Sequence, residues 1–260
     1  MVQNSALIGY TGFVGSHFND LMDFNYKYNS KNSSDMCHQE FDLVVCAGFP
    51  AVVWFANQNP DKDWADIQKL LNHLKTIKTK HFVLISTVSV YPNPQNVSEF
   101  TPIDETQNLP YGKHRYLVEK WVQDHFSSVT ILRLPGLYGK GLKKNVIFDL
   151  LHDNCLEMIQ KESTLQYYNL SNIVKDMIKA QEHSIPLLNL ACEPIKHADL
   201  INKFFPHKVV GQKPGAPAHF NMQSDYAYLW GNEESPYLYT QDYIWKDLGH
   251  FISHQSSVSI

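Results

Sequence analysis

Three glycines at three-residue intervals, Gly9, Gly12 and Gly15, stand in the string Leu7-Ile8-Gly9-Tyr10-Thr11-Gly12-Phe13-Val14-Gly15, where an apolar strand pattern gives way to a helical one. Glycine accepts positive φ in a tight turn and lets backbone approach a ligand closely, while the N–H groups of a helix start attract negative charge. A turn of this kind between strand and helix suits the pyrophosphate of a dinucleotide. Gly9, Thr11, Gly12, Phe13, Val14 and Gly15 are therefore assigned to cofactor binding. In such a fold the tip of the second strand, about 20 residues further on, chooses the cofactor: an acid grips the ribose 2′-hydroxyl of NAD, and a cation accommodates the 2′-phosphate of NADP. Asn29, Ser30 and Lys31 stand there, with no acid and one cation, so NADP is favoured over NAD. The competing reading makes Lys31 a solvated loop lysine.

The elements that must position this turn follow from periodicity. Ser5 to Ile8 reads as a strand, and Phe13 onward as a helix carrying Phe13, Val14, Phe18, Leu21 and Met22 at helical spacing. Strands follow at Phe24 to Tyr28 and Phe41 to Cys46, the latter continuously apolar as a parallel strand buried on both faces should be. A helix over Asp63 to Ile77, a strand over His81 to Ser86, a loop from Pro92 to Pro110, a helix over Tyr111 to Phe126 and a strand over Val129 to Leu134 complete the core. The alternation predicts an α/β fold, a doubly wound parallel sheet of Rossmann type over residues 1–139. Residues 140–260 are read as mostly a smaller substrate-binding portion, with the stretch at about 165–185 packing back on the core. Helices are predicted there at Asn145 to Leu151, Ile173 to Gln181 and His197 to Phe204, with a strand at Leu187 to Leu190. No element is assigned beyond Pro236. Ala47, Gly48 and Phe49 follow the third strand where a doubly wound sheet opens its ligand crevice. With Leu134 they join the cofactor-binding set.

Composition excludes several classes. Of 260 residues 43% are apolar and 18% charged, ordinary globular usage. A net charge of -4 supplies no basic field for a phosphate backbone, so nucleic acid is not an expected partner. Cys37, Cys46, Cys155 and Cys192 form no C-x-x-C pair, the histidines read as surface or core residues, and no metal site is expected. No apolar run is long enough to span a bilayer and no secretion signal opens the chain, so a cytoplasmic protein with no membrane partner is expected.

Three further strings carry chemistry: Leu84-Ile85-Ser86-Thr87-Val88-Ser89-Val90-Tyr91, Pro110-Tyr111-Gly112-Lys113-His114-Arg115-Tyr116-Leu117-Val118-Glu119, and Leu132-Arg133-Leu134-Pro135-Gly136-Leu137-Tyr138-Gly139. With the glycine turn, and in the same order, they resemble the extended short-chain dehydrogenases, the nucleotide-sugar epimerase, dehydratase and reductase family. The resemblance runs to about Gly141 and more loosely to about Phe205. It implies that Thr87 hydrogen-bonds the substrate oxygen and that Tyr111 transfers the proton. A lysine four residues after the tyrosine would hold the nicotinamide ribose and lower the phenol pKa. A phenol of pKa about 10 is a poor acid-base at neutral pH unless fixed positive charge stabilises its anion, and a spacing of four puts both groups on one helix face. Here the lysine position is Arg115, which keeps the charge on a larger planar fork. A literal Tyr-x-x-x-Lys also occurs at Tyr116 and Lys120, but Gly112 and Glu119 match the family only in the Tyr111 register.

The resemblance also places Ser89, Gly136, Lys143 and Lys144 with the substrate. Gly136 stands where many family members have an asparagine, and the two lysines either meet a substrate diphosphate or open a solvated helix. Val88 and Ser89 after Thr87 lack the acidic pair of the sugar 4,6-dehydratases. The implied activity is that of an NAD(P)-dependent oxidoreductase or epimerase acting on a keto or hydroxyl carbon of a nucleotide sugar. The implied state is a homodimer paired through the helices near Asp63 to Ile77 and Tyr111 to Phe126, with Leu117, Trp121 and Val122 as apolar material. A rival from another class, a cofactor-binding sensor or partner protein that has lost the chemistry, rests on Arg115.

Overall fold

The computed structural model describes residues 4–257; the outermost residues of the two sequence ranges lie outside it. In chain order the elements are β1 (Ser5–Ile8), α1 (Phe13–Leu21), β2 (Tyr26–Tyr28), β3 (Glu40–Cys46), α2 (Val53–Gln58), α3 (Pro60–Leu74), β4 (Lys78–Thr87), β5 (Gln95–Val97), α4 (Pro110–His125) and β6 (Val129–Leu134). They continue with β7 (Gly136–Tyr138), α5 (Val146–His152), β8 (Thr164–Leu165), β9 (Tyr167–Asn169), α6 (Ile173–Glu182), β10 (Leu187–Asn189), β11 (Ile195–Lys196), α7 (His197–Phe204), β12 (Asn221–Met222) and α8 (Gln241–Ser257).

The main sheet has six strands in the order β10-β6-β4-β3-β1-β2. β1 pairs in parallel with both β2 and β3, and β3 with β4. Because β2 and β3 flank β1 on opposite sides, the winding reverses at β1 and β3, and the ends of these two strands open the crevice in which such sheets take ligands. Every residue of β1 is buried, as are Leu43 to Cys46 of β3, the burial expected where helices cover both faces. α3 packs through Ile67, Leu71 and Leu74, and α4 through Val118 and Val122, while Phe126 stacks on Phe82 with ring centroids 4.4 Å apart. Between β2 and β3 the chain makes a single 3-10 turn, Ser33–Met36, whose Met36 is fully buried.

The chain divides into two compact units. The first runs to Asn93 and includes Pro102–Arg133 and Ser171–Leu188; within it α6 packs on α1. The second comprises Pro94–Thr101, Leu134–Leu170 and the stretch from Asn189 on. It is built on the two-stranded pairs β7-β9, β8-β11 and β5-β12. In it α8 buries Ile244, Leu248 and Ile252, and its Asp247 accepts from Tyr138 Oη and from Asn169 Nδ2.

Three expectations need correction. The stretch from Pro92 to Pro110 holds a strand, β5, which forms because Asn221 and Met222 pair with Gln95 and Val97 from far along the chain. The end of the chain carries a long helix, α8. Val122 is fully buried in its own core, so it offers nothing to a second subunit, whereas Trp121 and Leu117 remain half-buried.

Candidate active site

The glycine turn joins β1 to α1 at the reversal point of the sheet. Gly9 has φ +86° and donates its N–H to Tyr28 O at 2.7 Å, while Ala47 N donates to Ile8 O at 2.9 Å, so the ends of β2, β1 and β3 are drawn together. A Cβ on Gly9 would stand 2.4 Å from Ala47 O and one on Gly15 2.0 Å from Gly9 O, so neither position admits a side chain. Gly12 begins α1 with no side-chain cap, which leaves the first-turn N–H groups of Phe13, Val14 and Gly15 without a side-chain acceptor. Open donors over a side-chain-free cradle fit the pyrophosphate of a dinucleotide. Ala47, Gly48 and Phe49 line the adjoining end of β3, and Thr11 is exposed. Leu134 ends β6 and is buried.

At the tip of β2 the Asn29 side chain shapes the loop. Its amide donates to Tyr10 Oη at 3.2 Å, its oxygen accepts from Lys31 N at 2.8 Å, and Asn29 N donates to Asn32 Oδ1 at 2.7 Å. Ser30 and Lys31 are left exposed on that closed turn.

Thr87, Tyr111 and Arg115 meet at the end of β4. Thr87 turns the chain out of β4, its Oγ1 accepting from Ser89 N at 3.2 Å. α4 starts with Pro110 in its first turn, a position where the missing N–H costs nothing, and Tyr111 N donates to Asn57 Oδ1 on α2 at 3.0 Å. Gly112 is required by close approach, because a Cβ there would lie 2.0 Å from Ser89 O. Thr87 and Arg115 flank the Tyr111 phenol, and each favours its ionised form. Burial pushes its pKa up; Arg115 and Thr87 oppose that, and the charge of Asp63 adds to it.

Arg115 is 5% exposed, its guanidinium carbon 4.6 Å from the centre of the Tyr111 ring. Nη1 and Nη2 reach the two oxygens of Asp63 at 3.3 Å each, and Nη2 also donates to Pro50 O. His114 Nδ1 lies 2.8 Å from Asp63 Oδ2. Sequence reasoning missed Asp63. The signal was present: Asp63, Ile67, Leu71 and Leu74 share one buried row of α3, and an acid in an apolar row needs a partner.

Behind Thr87 a second buried network sets the position of α4. Glu119 accepts from Ser86 Oγ at 2.5 Å and from Arg133 Nε and Nη2 at 3.0 and 2.5 Å, and Arg133 Nη1 donates to Tyr91 Oη at 2.7 Å. The alternative pair is engaged elsewhere on the helix. Lys120 bonds Glu105 at 2.8 Å and stands 4.9 Å from the Tyr116 ring centre.

In the second unit Gly136 N donates to Gln166 O at 3.1 Å, and a Cβ at Gly136 would approach that oxygen to 2.7 Å. The backbone of Gln166, just before β9, thus occupies the space from which a larger side chain at position 136 would start. Lys143 and Lys144 are exposed just before α5, which Asn145 caps by accepting from Phe148 N at 3.0 Å. His250 and His254 stand four apart on α8, His254 Nδ1 lying 2.7 Å from His250 O. Among the described residues no group of three or more His, Cys, Asp and Glu could hold a metal, and no helix is long and apolar enough to cross a membrane.

The family model for the NAD dependent epimerase/dehydratase family matches residues 28–165, more than half of the chain and beginning after the glycine turn. No curated protein sequence matches the chain. Among solved structures, dTDP-4-dehydrorhamnose reductase from Bacillus anthracis in complex with NADP is 14% identical at a TM-score of 0.69, covering 92% of this chain and 95% of that one. UDP-glucose 4-epimerase from Thermotoga maritima with UDP-glucose is 18% identical at a TM-score of 0.65, covering 95% of this chain and 100% of that one. An NAD-dependent NDP-hexosamine 5,6-dehydratase is 16% identical at 0.68, covering 88% and 90%. At these identities the likeness is one of fold.

Proposed function

The chain belongs to the NAD dependent epimerase/dehydratase family, and from that premise we propose that it is an NADP(H)-dependent oxidoreductase or epimerase working on a keto or hydroxyl carbon of a nucleotide sugar. The observation that carries the reading is convergence: the glycine cradle ends β1, and the Thr87–Tyr111–Arg115 cluster stands where β4 ends, on the same edge of one parallel sheet. A bound dinucleotide supplies or accepts the hydride. Thr87 orients the reacting oxygen, Tyr111 gives or takes its proton, and Arg115 supports the phenol by charge from beside its ring. Gly9, Gly12, Gly15 and the first turn of α1 hold the pyrophosphate. The exposed Lys31 beside an acid-free β2 tip favours the 2′-phosphate of NADP.

The relatives' ligands, UDP-glucose and NADP, are of the chemical kinds this reading assigns to the chain. Mass spectrometry of the purified protein under gentle conditions, followed by titration with NADPH and NADH, tests it. Retained or tightly bound dinucleotide with turnover of a nucleotide-sugar ketone supports the enzyme. Binding without turnover of any nucleotide sugar supports the sensor instead, and no dinucleotide binding sinks both. The same proposal includes a homodimer joined through α3 and α4, using Trp121 and Leu117; light scattering that shows a monomer at micromolar concentration overturns that part.

A further inference from the structure

A positive charge placed to activate a tyrosine should stand free to act on it, and Arg115 does not. Its guanidinium is held at both ends by the Asp63 carboxylate, 3.3 Å to each oxygen, with a further bond to Pro50 O. Asp63 is 2% exposed, so the pair sits where water screens little, and His114 fixes the same carboxylate at 2.8 Å. From Tyr111 the arginine is thus seen together with its counter-charge.

We propose that Asp63 is a positioning residue which neutralises Arg115 and keeps the Tyr111 phenol in its proton-donating form, so that the site is set for reduction of a carbonyl rather than oxidation of an alcohol. The inference rests on the role given to Tyr111 above. In the favoured direction the carbonyl carbon takes a hydride from the reduced dinucleotide and the carbonyl oxygen takes the Tyr111 proton. The tyrosinate, with Arg115 beside it, then regains a proton from water. Running the other way would require Tyr111 to begin as an anion at neutral pH.

The groups facing Tyr111 are few. Its own helix supplies Arg115 and His114, α3 supplies Asp63, and the end of β4 supplies Thr87. The sequences of α2 and of the turn Val88–Val90 contain no ionisable side chain, and Glu105, from the 3-10 turn before α4, is taken by Lys120. Burial leads the upward displacement of the Tyr111 pKa, Arg115 and then Thr87 oppose it, and Asp63 adds the smallest contribution, in the upward direction the ion-pair geometry requires.

The test is a titration of protein labelled with 13Cζ-tyrosine, followed by NMR, with the Tyr111 resonance assigned by its loss in Tyr111→Phe. In the wild type the midpoint of that resonance lies above the free phenol's value of about 10. In Asp63→Asn, which keeps the shape and removes the charge, the midpoint moves down by about one unit or more, because Arg115 now acts unopposed. A purely structural Asp63 would lower stability without that directed shift. An unmoved midpoint in Asp63→Asn overturns the proposal, and so does a wild-type Tyr111 that ionises at or below the free phenol's midpoint, a measurement that stands even if the variant fails to fold. NADPH titration of the same wild-type sample keeps the two readings apart: loss of dinucleotide binding would count against the function and leave the ionisation result as it stands.

Discussion

Two opposite demands meet at Tyr111. Burial at 7% exposure favours the neutral phenol, while acid-base work needs a nearby cation to make ionisation affordable. Tyr111→Phe removes the proton but leaves the ring in its packing. It is expected to cost about 10²- to 10⁴-fold in kcat, with NADPH affinity nearly unchanged. Tyr116→Phe, on a side chain that meets Lys120, is expected to cost little, and steady-state kinetics on the two variants separate the registers. Arg115→Lys restores the family's residue and should preserve or raise turnover if the arginine is a working substitute. At the other end of the cofactor, Lys31→Ala should narrow the preference for NADPH over NADH by about 1.5 to 3 kcal/mol, roughly 10- to 150-fold, the worth of one charge-assisted hydrogen bond. Isothermal titration with both dinucleotides measures it, and equal or tighter NADH binding by the wild type removes the assignment.

The elements are held in register by close approaches and by buried ion pairs. Alanine in place of a helical glycine ordinarily stabilises by up to about 1 kcal/mol. At Gly112 the sign is expected to invert, because the new Cβ would press to 2.0 Å on Ser89 O and push α4 off the end of β4. Urea denaturation should show a loss of about 1 to 3 kcal/mol. Gly15→Ala should behave differently, abolishing dinucleotide binding through displacement of Gly9, whose carbonyl oxygen the new Cβ would meet at 2.0 Å. Arg133→Met leaves the Glu119 carboxylate, 1% exposed, without its two charged hydrogen bonds. Breaking a buried pair from one side costs about 3 to 5 kcal/mol. Retention of wild-type stability by this variant would show that the network does not set the position of α4.

Across the molecule, two histidines with lowered pKa values, half-buried His81 and buried His197, contribute to the response to acid. Burial lowers the pKa of His81, which bonds Ser128 and Thr130, and of His197, where the bond to Gln160 O partly opposes it. A folded pKa below the unfolded value of about 6.5 means that the unfolded chain takes up protons first. The stability these residues contribute is full above about pH 6.5 and is lost as pH falls through their folded pKa. The urea midpoint should therefore drop between about pH 7.5 and pH 5.5, and the drop should shrink in His81→Gln/His197→Gln; an unchanged drop places the acid sensitivity elsewhere. What could be read along the chain was local. The glycine turn, the strands β1, β3 and β6 and the helices α3, α4 and α7 follow from spacing within a few residues, because steric freedom and apolar periodicity act over that range. The same range held the α8 signal, Ile244, Leu248 and Ile252 at intervals of four, although no helix was assigned there. Tertiary structure alone decided the rest. That Asp63 answers Arg115 across 52 residues, that β5 is a strand because β12 lies beside it, and that Gly136 faces the backbone of Gln166 depend on which distant segments come into contact. A carboxylate's or a strand edge's need for a partner is written in the residue, but the partner's identity is set by packing.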